Sequence, residues 1–326
     1  MDVLPPIDLV RASSIAEAVR ARIVRPDARY LAGGTDLIAN LRRRIGEPSA
    51  LIDIAGIPEL REIRTSAGGV SIGAAVTLHE IEQNPSLQRE FPILARAAVS
   101  VAGPAHRVGA TVGGNLCLDT RCVFYNQSLW WRQSTRFCRK YKGDTCHVAP
   151  TGERCHAAFC GDLAPALLVL GAAVDIAGRA GLRRIPLAEL YRDEGQFYLR
   201  LEPDELLTAI HVPPSRGLKS DYAKARIRGA IDFPLAGVAV ALDRQGEALV
   251  ALKVALTGTN SRPFLLEGTA ALVGRPLDQA ALQQLDKLVQ KQVSPMRTTI
   301  APAHYRRRVA AALACRLAAQ LYATAS

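Results

Sequence analysis

A chain of 326 residues, 49 % hydrophobic and 22 % charged, can bury a sizeable core, and its length predicts two or more domains. Its longest apolar run, Leu163 to Val174, falls far short of the roughly 20 residues a membrane span needs and contains Pro165 and Gly171, so no transmembrane helix is expected. The net charge of +11 would suit nucleic acid, but the basic residues are scattered, aromatics make up 5 % and no nucleic-acid motif is present. The charge reads instead as a solubilising surface, or as a field that steers an acidic protein or an anionic substrate. The opening MDVLPPIDLVRASS has no basic stretch followed by an apolar one, so no secretory signal is expected and a cytoplasmic location is predicted. In a reducing compartment, clustered cysteines read as metal ligands or redox groups rather than disulfides.

Along the chain, Ser14 and Glu17 have capping-box spacing and open a short amphipathic helix. ARYL reads as a strand that runs into AGGT and the helical pattern DLIANLRRR. ALIDIAG and GGVSIGAAV read as further strands, the latter followed by Thr77 and Glu80, a second capping box, ahead of LHEIEQ. FPILARAAVSVAG predicts a helix, and VGATVGGNL, Val108 to Leu116, a second glycine-rich turn. GDLAPALLVLGAAVDIAG reads as helix then strand, and HVPPSRG as a linker. DYAKARIR, AGVAVALD and ALVALKVALTG predict strands, the last two joined through RQGE as a hairpin. Two helical patterns, LDQAALQQLDKLVQ and HYRRRVAAALACRLAAQLYA, close the chain. The pattern is α+β, with a larger N-terminal and a smaller C-terminal domain.

In LAGGTDL, Gly33 and Gly34 remove side chains where a strand gives way to a helix, so main-chain N–H groups and a helix N-terminus can face an anion. ATVGGNL offers a second such turn, with the amide of Asn115 as an extra donor and acceptor. Neither is a Walker loop or a GxGxxG fingerprint, and either alone reads as an ordinary tight turn. Together they could hold the pyrophosphate of a dinucleotide lying between them.

LAGGTDL, TVGGN, GDLAPALLVLGA and YAKARIRGAIDFPLAGVAVAL, in this order, resemble the motifs of the flavin subunit of molybdenum hydroxylases, the group of xanthine dehydrogenase and carbon monoxide dehydrogenase. The resemblance implies a two-part FAD-binding domain of the PCMH/vanillyl-alcohol-oxidase-like type over residues 1–214. It also implies a C-terminal domain, residues 218–326, built on a small antiparallel sheet with helices. Carried over by position, Leu31, Ala32, Gly33, Gly34, Thr35 and Asp36 would wrap the FAD pyrophosphate, and Thr111, Gly113, Gly114 and Asn115 would form the second loop. Val101 would lie against the flavin ring, Asp162 would be the family's carboxylate and Lys224 a cation near the flavin. Their plain alternatives are a core valine, the cap of the helix beginning at Leu163, and a surface charge.

Between Asn115 and Asp162 lie 46 residues where the family has a short loop, which marks an insertion at about 117–160. It holds Cys122, Cys138, Cys146 and Cys155, with 15, 7 and 8 residues between successive members, and Cys117 and Cys160 at its ends. Four thiolates suit zinc or an iron–sulfur cluster. Zinc sites usually draw on close CxxC pairs, absent here, although His147 and His156 each follow a cysteine. In an electron-transfer family a redox centre explains such an insertion better than a staple. The stretch LCLDTRCVFYNQSLWWRQ followed by FCRKYKGDTCHVAPTGERC further resembles the flavin and iron–sulfur subunits of 4-hydroxybenzoyl-CoA reductases. That resemblance implies a [4Fe–4S] cluster on Cys122, Cys138, Cys146 and Cys155, with Cys160 the competitor to Cys155. Cys117 and Cys315 read as packed thiols.

From Cys117 to Cys160 seven basic residues face three acidic ones, a local balance of +4, and Trp130 and Trp131 add an apolar anchor that could pack over a cluster. Arg136, Arg139 and Lys140 are expected to dock an acidic ferredoxin. The resemblance implies substrate chemistry on a molybdenum-cofactor large subunit, a [2Fe–2S] small subunit between, and a dimer of heterotrimers. It also implies net flow from reduced ferredoxin through [4Fe–4S] and FAD, for reductive removal of the phenolic hydroxyl of 4-hydroxybenzoyl-CoA. Two other classes stay open: an FAD subunit of an oxidative hydroxylase with a zinc-holding insertion, and an assembly or nucleic-acid-binding module.

Overall fold

The computed structural model describes residues 4–215, 217–298 and 301–324; the expected domain ends at residues 1 and 326 lie outside this range. The first sheet is parallel: β1 (Asp8–Arg11) and β2 (Arg29–Leu31) flank β3 (Ala50–Asp53). Parallel neighbours need crossovers, and the helices Ile15–Val24 and Leu37–Arg42 lie in them. Ser14 caps the first helix by accepting from the Glu17 N–H, but the Glu17 carboxylate accepts from the N–H and hydroxyl of Ser13, so the predicted capping box closes one residue early. The box at Thr77 and Glu80 is complete.

The second sheet comprises β4 (Ile63–Ser66), β5 (Gly69–Gly73), β6 (Ala173–Gly178), β7 (Gly181–Pro186) and β8 (Leu206–Val212), in the order β4-β5-β8-β6-β7, all pairs antiparallel. His211 and Val212 belong to β8, so the expected linker begins at Pro213. The helix Leu163–Val169, buried at every residue, shares its core with the helices Leu78–Gln83 and Pro92–Val99. The predicted second glycine turn contains a short helix, Val112–Leu116: Thr111 Oγ1 accepts from the Gly114 N–H and supplies the cap that a turn would lack.

The third sheet, β9 (Lys219–Ala225), β10 (Ala236–Gln245), β11 (Ala248–Thr257) and β12 (Phe264–Leu265), runs in the order β12-β11-β10-β9. Strand periodicity divides β10 between two cores: Ala236, Val238, Val240 and Leu242 pack with the helices Gln279–Gln292 and Ala303–Thr324, while Ala239 and Ala241 join the core of the second sheet. The C-terminal sheet is therefore sandwiched between its own helices and the N-terminal domain, which fixes it beside the glycine loops.

The 117–160 insertion has one helix, Leu129–Ser134, and is otherwise turns. Reciprocal main-chain bonds between Arg121 and Ala158, 2.7 and 2.8 Å, close its neck. Arg132, expected among the surface charges, is buried: its Nη2 donates to the carbonyls of Arg43 and Arg44 at 2.9 and 2.8 Å, and its guanidinium lies 5.0 Å from the Tyr141 ring centroid. Lys140 is buried as well, with three oxygen acceptors around its ammonium. Both are internal staples, so the basic surface is smaller than the residue count implies. Trp131 packs on Phe124 at 6.2 Å between ring centroids, whereas Trp130 remains 74 % exposed and covers nothing in this chain.

Among the described residues no helix is long and apolar enough to cross a membrane.

Candidate flavin cleft and four-cysteine cavity

The two glycine loops meet back to back. A β-carbon on Gly33 would lie 1.6 Å from the carbonyl oxygen of Gly109, a spacing only glycine permits. The loop's main-chain N–H groups at Ala32, Gly33, Gly34 and Thr35 donate to no acceptor among the described residues. They stand at the end of β2 and the start of the helix Leu37–Arg42, where free donors favour an anion. All thirteen residues expected at the flavin, Leu31 to Asp36, Val101, Thr111, Gly113, Gly114, Asn115, Asp162 and Lys224, line one cleft of about 1060 Å³. That volume lies just above the roughly 300–1,000 Å³ of small-molecule sites, as an extended dinucleotide demands. Free loop donors, a glycine contact and a cleft of this size fit FAD.

Deep in the cleft, Asp162 accepts from Lys224 Nζ at 2.9 Å and from the Tyr222 hydroxyl at 2.5 Å, and both charged side chains are only 4 % exposed. Burial pushes the Asp162 carboxyl up, and the Lys224 ammonium opposes it. Lys224 is thus an internal cation, which removes the surface-charge alternative; it also donates to the Ser100 carbonyl at 3.0 Å, next to Val101. Asp162 does not cap the helix beside it. Asn115 does, its Oδ1 accepting from the Leu163 N–H at 3.0 Å, so the second glycine loop is tied directly to that helix.

Arg121 was not among the expected cleft residues. From the neck of the insertion it pairs with Asp36, reaches Asn40 Oδ1 at 3.4 Å and lies 4.6 Å from the Phe233 ring centroid, joining insertion, first loop and C-terminal domain. Its Nε is buried without a partner. Burial raises the Asp36 carboxyl, against the pull of Arg121. Spacing carries no signal for Arg121, because its partners are contributed by the far ends of the fold.

Cys122, Cys138, Cys146 and Cys155 line a second, much smaller cavity of about 10 Å³, together with His147, Phe124, Arg139 and Lys140. Cys117 and Cys160 face the flavin cleft instead, and the Cys315 thiol donates to the Leu282 carbonyl. Burial pushes the Cys122 thiol up to about 11 and that of Cys155 to about 12. Cys155 sulfur accepts from the Ala157 N–H at 3.4 Å, a bond that favours its thiolate form against the effect of burial. Gly195, another residue that spacing does not reveal, covers this sulfur: a β-carbon there would come within 2.8 Å of it. His147 Nε2 lies 2.5 Å from the Phe137 carbonyl, a bond that occupies the nitrogen, and His156 is half-buried outside the cavity wall. Arg136, Phe137 and Lys142 have φ of +57°, +60° and +59°, so the backbone around Cys138 is held in a left-handed conformation that costs non-glycine residues about 1 kcal/mol or more each. Among the described residues no three His, Cys, Asp or Glu side chains converge on a single-ion site. In their chemistry the four soft sulfur donors that line one cavity fit an iron–sulfur cluster, and they suit zinc as well.

Residues 5–215 match the family described as FAD binding domain in molybdopterin dehydrogenase, and residues 220–321 the CO dehydrogenase flavoprotein C-terminal domain. The chain is 32 % identical over 270 residues to the aldehyde oxidoreductase FAD-binding subunit of Escherichia coli, covering 80 % of this chain and 84 % of that one. It is 30 % identical over 306 residues to the carbon monoxide dehydrogenase medium chain of Afipia carboxidovorans, covering 93 % and 92 %. A crystal structure of a copper- and molybdenum-containing CO dehydrogenase superposes with a TM-score of 0.83 at 28 % identity, over 99 % of this chain and 100 % of that chain. The cleft geometry and these matches agree: this chain is an FAD-binding oxidoreductase subunit and belongs to the FAD-binding medium subunits of the molybdenum hydroxylase family.

Proposed function

We propose that this chain is the electron-entry subunit of a 4-hydroxybenzoyl-CoA reductase. It would accept electrons from reduced ferredoxin on a [4Fe–4S] cluster held by Cys122, Cys138, Cys146 and Cys155. When bound, the cluster supplies one-electron exchange and the FAD the junction between one- and two-electron chemistry. The single observation behind this reading is that the four thiols of the insertion surround one cavity next to the flavin cleft. The chain's own residues would do the holding: the Ala32–Thr35 N–H groups at the pyrophosphate, Val101 at the ring, the Asp162–Lys224 pair at the cleft floor. Partners would be a molybdenum-cofactor large subunit and a [2Fe–2S] small subunit in a dimer of heterotrimers, in the cytoplasm; the medium-chain names of relatives support a multisubunit complex. Of the expected docking residues Arg136 is exposed, Arg139 is half-buried at the four-cysteine cavity and Lys140 is internal, so ferredoxin would meet Arg136 with exposed Lys142 and Trp130. Ferredoxin-dependent conversion of 4-hydroxybenzoyl-CoA to benzoyl-CoA by the purified complex is the expected result, and a complex inert towards that thioester but oxidising an aldehyde or a heterocycle would refute the reading.

The names of the relatives favour an oxidative direction, and so a second reading: an FAD subunit of an oxidative hydroxylase from which electrons leave through the flavin. On that reading the insertion would hold zinc. Metal analysis separates the two.

A further inference from the structure

Two residues, Tyr125 and Lys140, line both the four-cysteine cavity and the flavin cleft, and among the described residues no other does so. The Lys140 side chain is 4 % exposed. Its ammonium donates to Asp119 Oδ1 at 2.7 Å, to the Thr120 carbonyl at 2.8 Å and to Thr120 Oγ1 at 2.5 Å, which uses all three of its protons. It lies 4.4 Å from the centroid of the buried Tyr125 ring, and Tyr125 is anchored to the neighbouring thiol segment by its N–H bond to the Cys122 carbonyl at 3.1 Å. The cation is therefore immobile and shared by two sites. Asp119, its counter-charge, is 30 % exposed and solvated, so it offsets the buried cation only in part.

We infer that Tyr125 and Lys140 are the partition through which the two redox sites communicate, Tyr125 as the contact and Lys140 as a fixed positive charge that raises both midpoint potentials. The inference rests on the iron–sulfur reading above. An electron added on either side of the partition is a negative charge within reach of the same ammonium, in an interior where Coulomb attraction is strong. Lys140 exchanges neither proton nor electron. With both groups bound, electrons supplied one at a time by the reduced donor would cross from the thiol side to the flavin, which takes up two electrons and two solvent protons in all. Both side chains are positioning residues.

The test is a potentiometric titration of the anaerobically purified complex, with flavin and iron–sulfur absorbance followed separately and iron and FAD quantified. Lys140→Met is expected to lower both midpoint potentials together, Lys140→Arg to leave both near the parent value, and Lys140→Met with Asp119→Asn to restore only a part of the loss, because the solvated Asp119 offsets the cation only in part. Tyr125→Leu is expected to leave the potentials in place but slow flavin reduction by at least about tenfold in stopped flow. A Lys140→Met shift confined to one centre, or absent, overturns the inference while iron in the parent leaves the functional reading standing. If Lys140→Met does not assemble, a Tyr125→Leu protein with unchanged electron-transfer rate overturns it as well. A parent complex without iron overturns the functional reading and this inference with it.

Discussion

Replacing Gly33 with alanine probes the contact that holds the two flavin loops together. The new β-carbon would lie 1.6 Å from the Gly109 carbonyl oxygen and 2.4 Å from its carbonyl carbon, where real contacts essentially never fall below 3.0 Å. One loop must retreat by about 1.4 Å or more, and the clash is with main chain rather than a side chain that could swing away. The opposing segment cannot yield easily: the Gly109 and Ala110 N–H groups are both bonded to the His106 carbonyl, and the Ala110 carbonyl accepts from Leu78 at 2.8 Å. Overpacking of this kind costs about 1–3 kcal/mol. If it is expressed as loss of the pyrophosphate cradle, FAD affinity falls about 5- to 150-fold, at 1.4 kcal/mol per factor of ten. The assay is reconstitution of the flavin-free chain followed by flavin fluorescence, with the melting temperature of the flavin-free form recorded alongside. Gly56→Ala, where nothing lies within 4 Å, is the control. A Gly33→Ala chain that keeps stoichiometric FAD at the parent affinity, with an unchanged melt, would refute the proposed loop contact.

Lys224→Met should destabilise the chain by about 3–5 kcal/mol in urea unfolding, because it strands the Asp162 carboxylate in the interior, and Asp162→Asn in the same chain should recover much of this. Arg121→Met should weaken FAD binding about tenfold, the scale of one lost charge-assisted hydrogen bond, and should also lower the melt of the flavin-free chain, because it leaves the Asp36 carboxylate without its cation; a lowered melt with unchanged affinity would confine Arg121 to a structural role. Bidentate hydrogen bonds from Arg184, with His211 adding a further contact, hold the Asp175 carboxyl below its usual 3.8. Its stabilisation is therefore present above that unfolded-state value and is lost as pH falls through the depressed folded value. Asp175→Asn should melt below the parent at neutral pH, and the gap should close in acid; a gap that persists there would contradict the ion-pair origin.

What could be read from the residues alone follows from how local each signal is. Strand, glycine turn and helix at 28–42 are adjacent in sequence, so the first loop was legible, as was the strand periodicity of β10 and β11. β1 and β7 expose most of their residues, so neither shows a clear buried face to betray a strand. Long-range partners were not legible. Arg132 and Lys140 look like surface charges until the carbonyls of Arg43 and Arg44 and the Asp119–Thr120 acceptors are brought to them by the fold. The same holds for Asn115, which caps a helix 48 positions away, a task that sequence adjacency assigned to Asp162. Cys155 and Cys160 are equivalent by spacing, and only the fold turns one thiol to the small cavity and the other to the flavin cleft.

The central claim, that the insertion makes this flavin subunit an iron–sulfur protein, is tested most directly by iron, zinc and flavin analysis with a visible spectrum of the anaerobically purified chain and its Cys155→Ala and Cys160→Ala variants. The account predicts flavin bands over a broad absorbance that bleaches on reduction, about four irons per chain and no zinc, with iron lost in Cys155→Ala and retained in Cys160→Ala. Flavin accompanied by zinc, or by no metal at all, would contradict it.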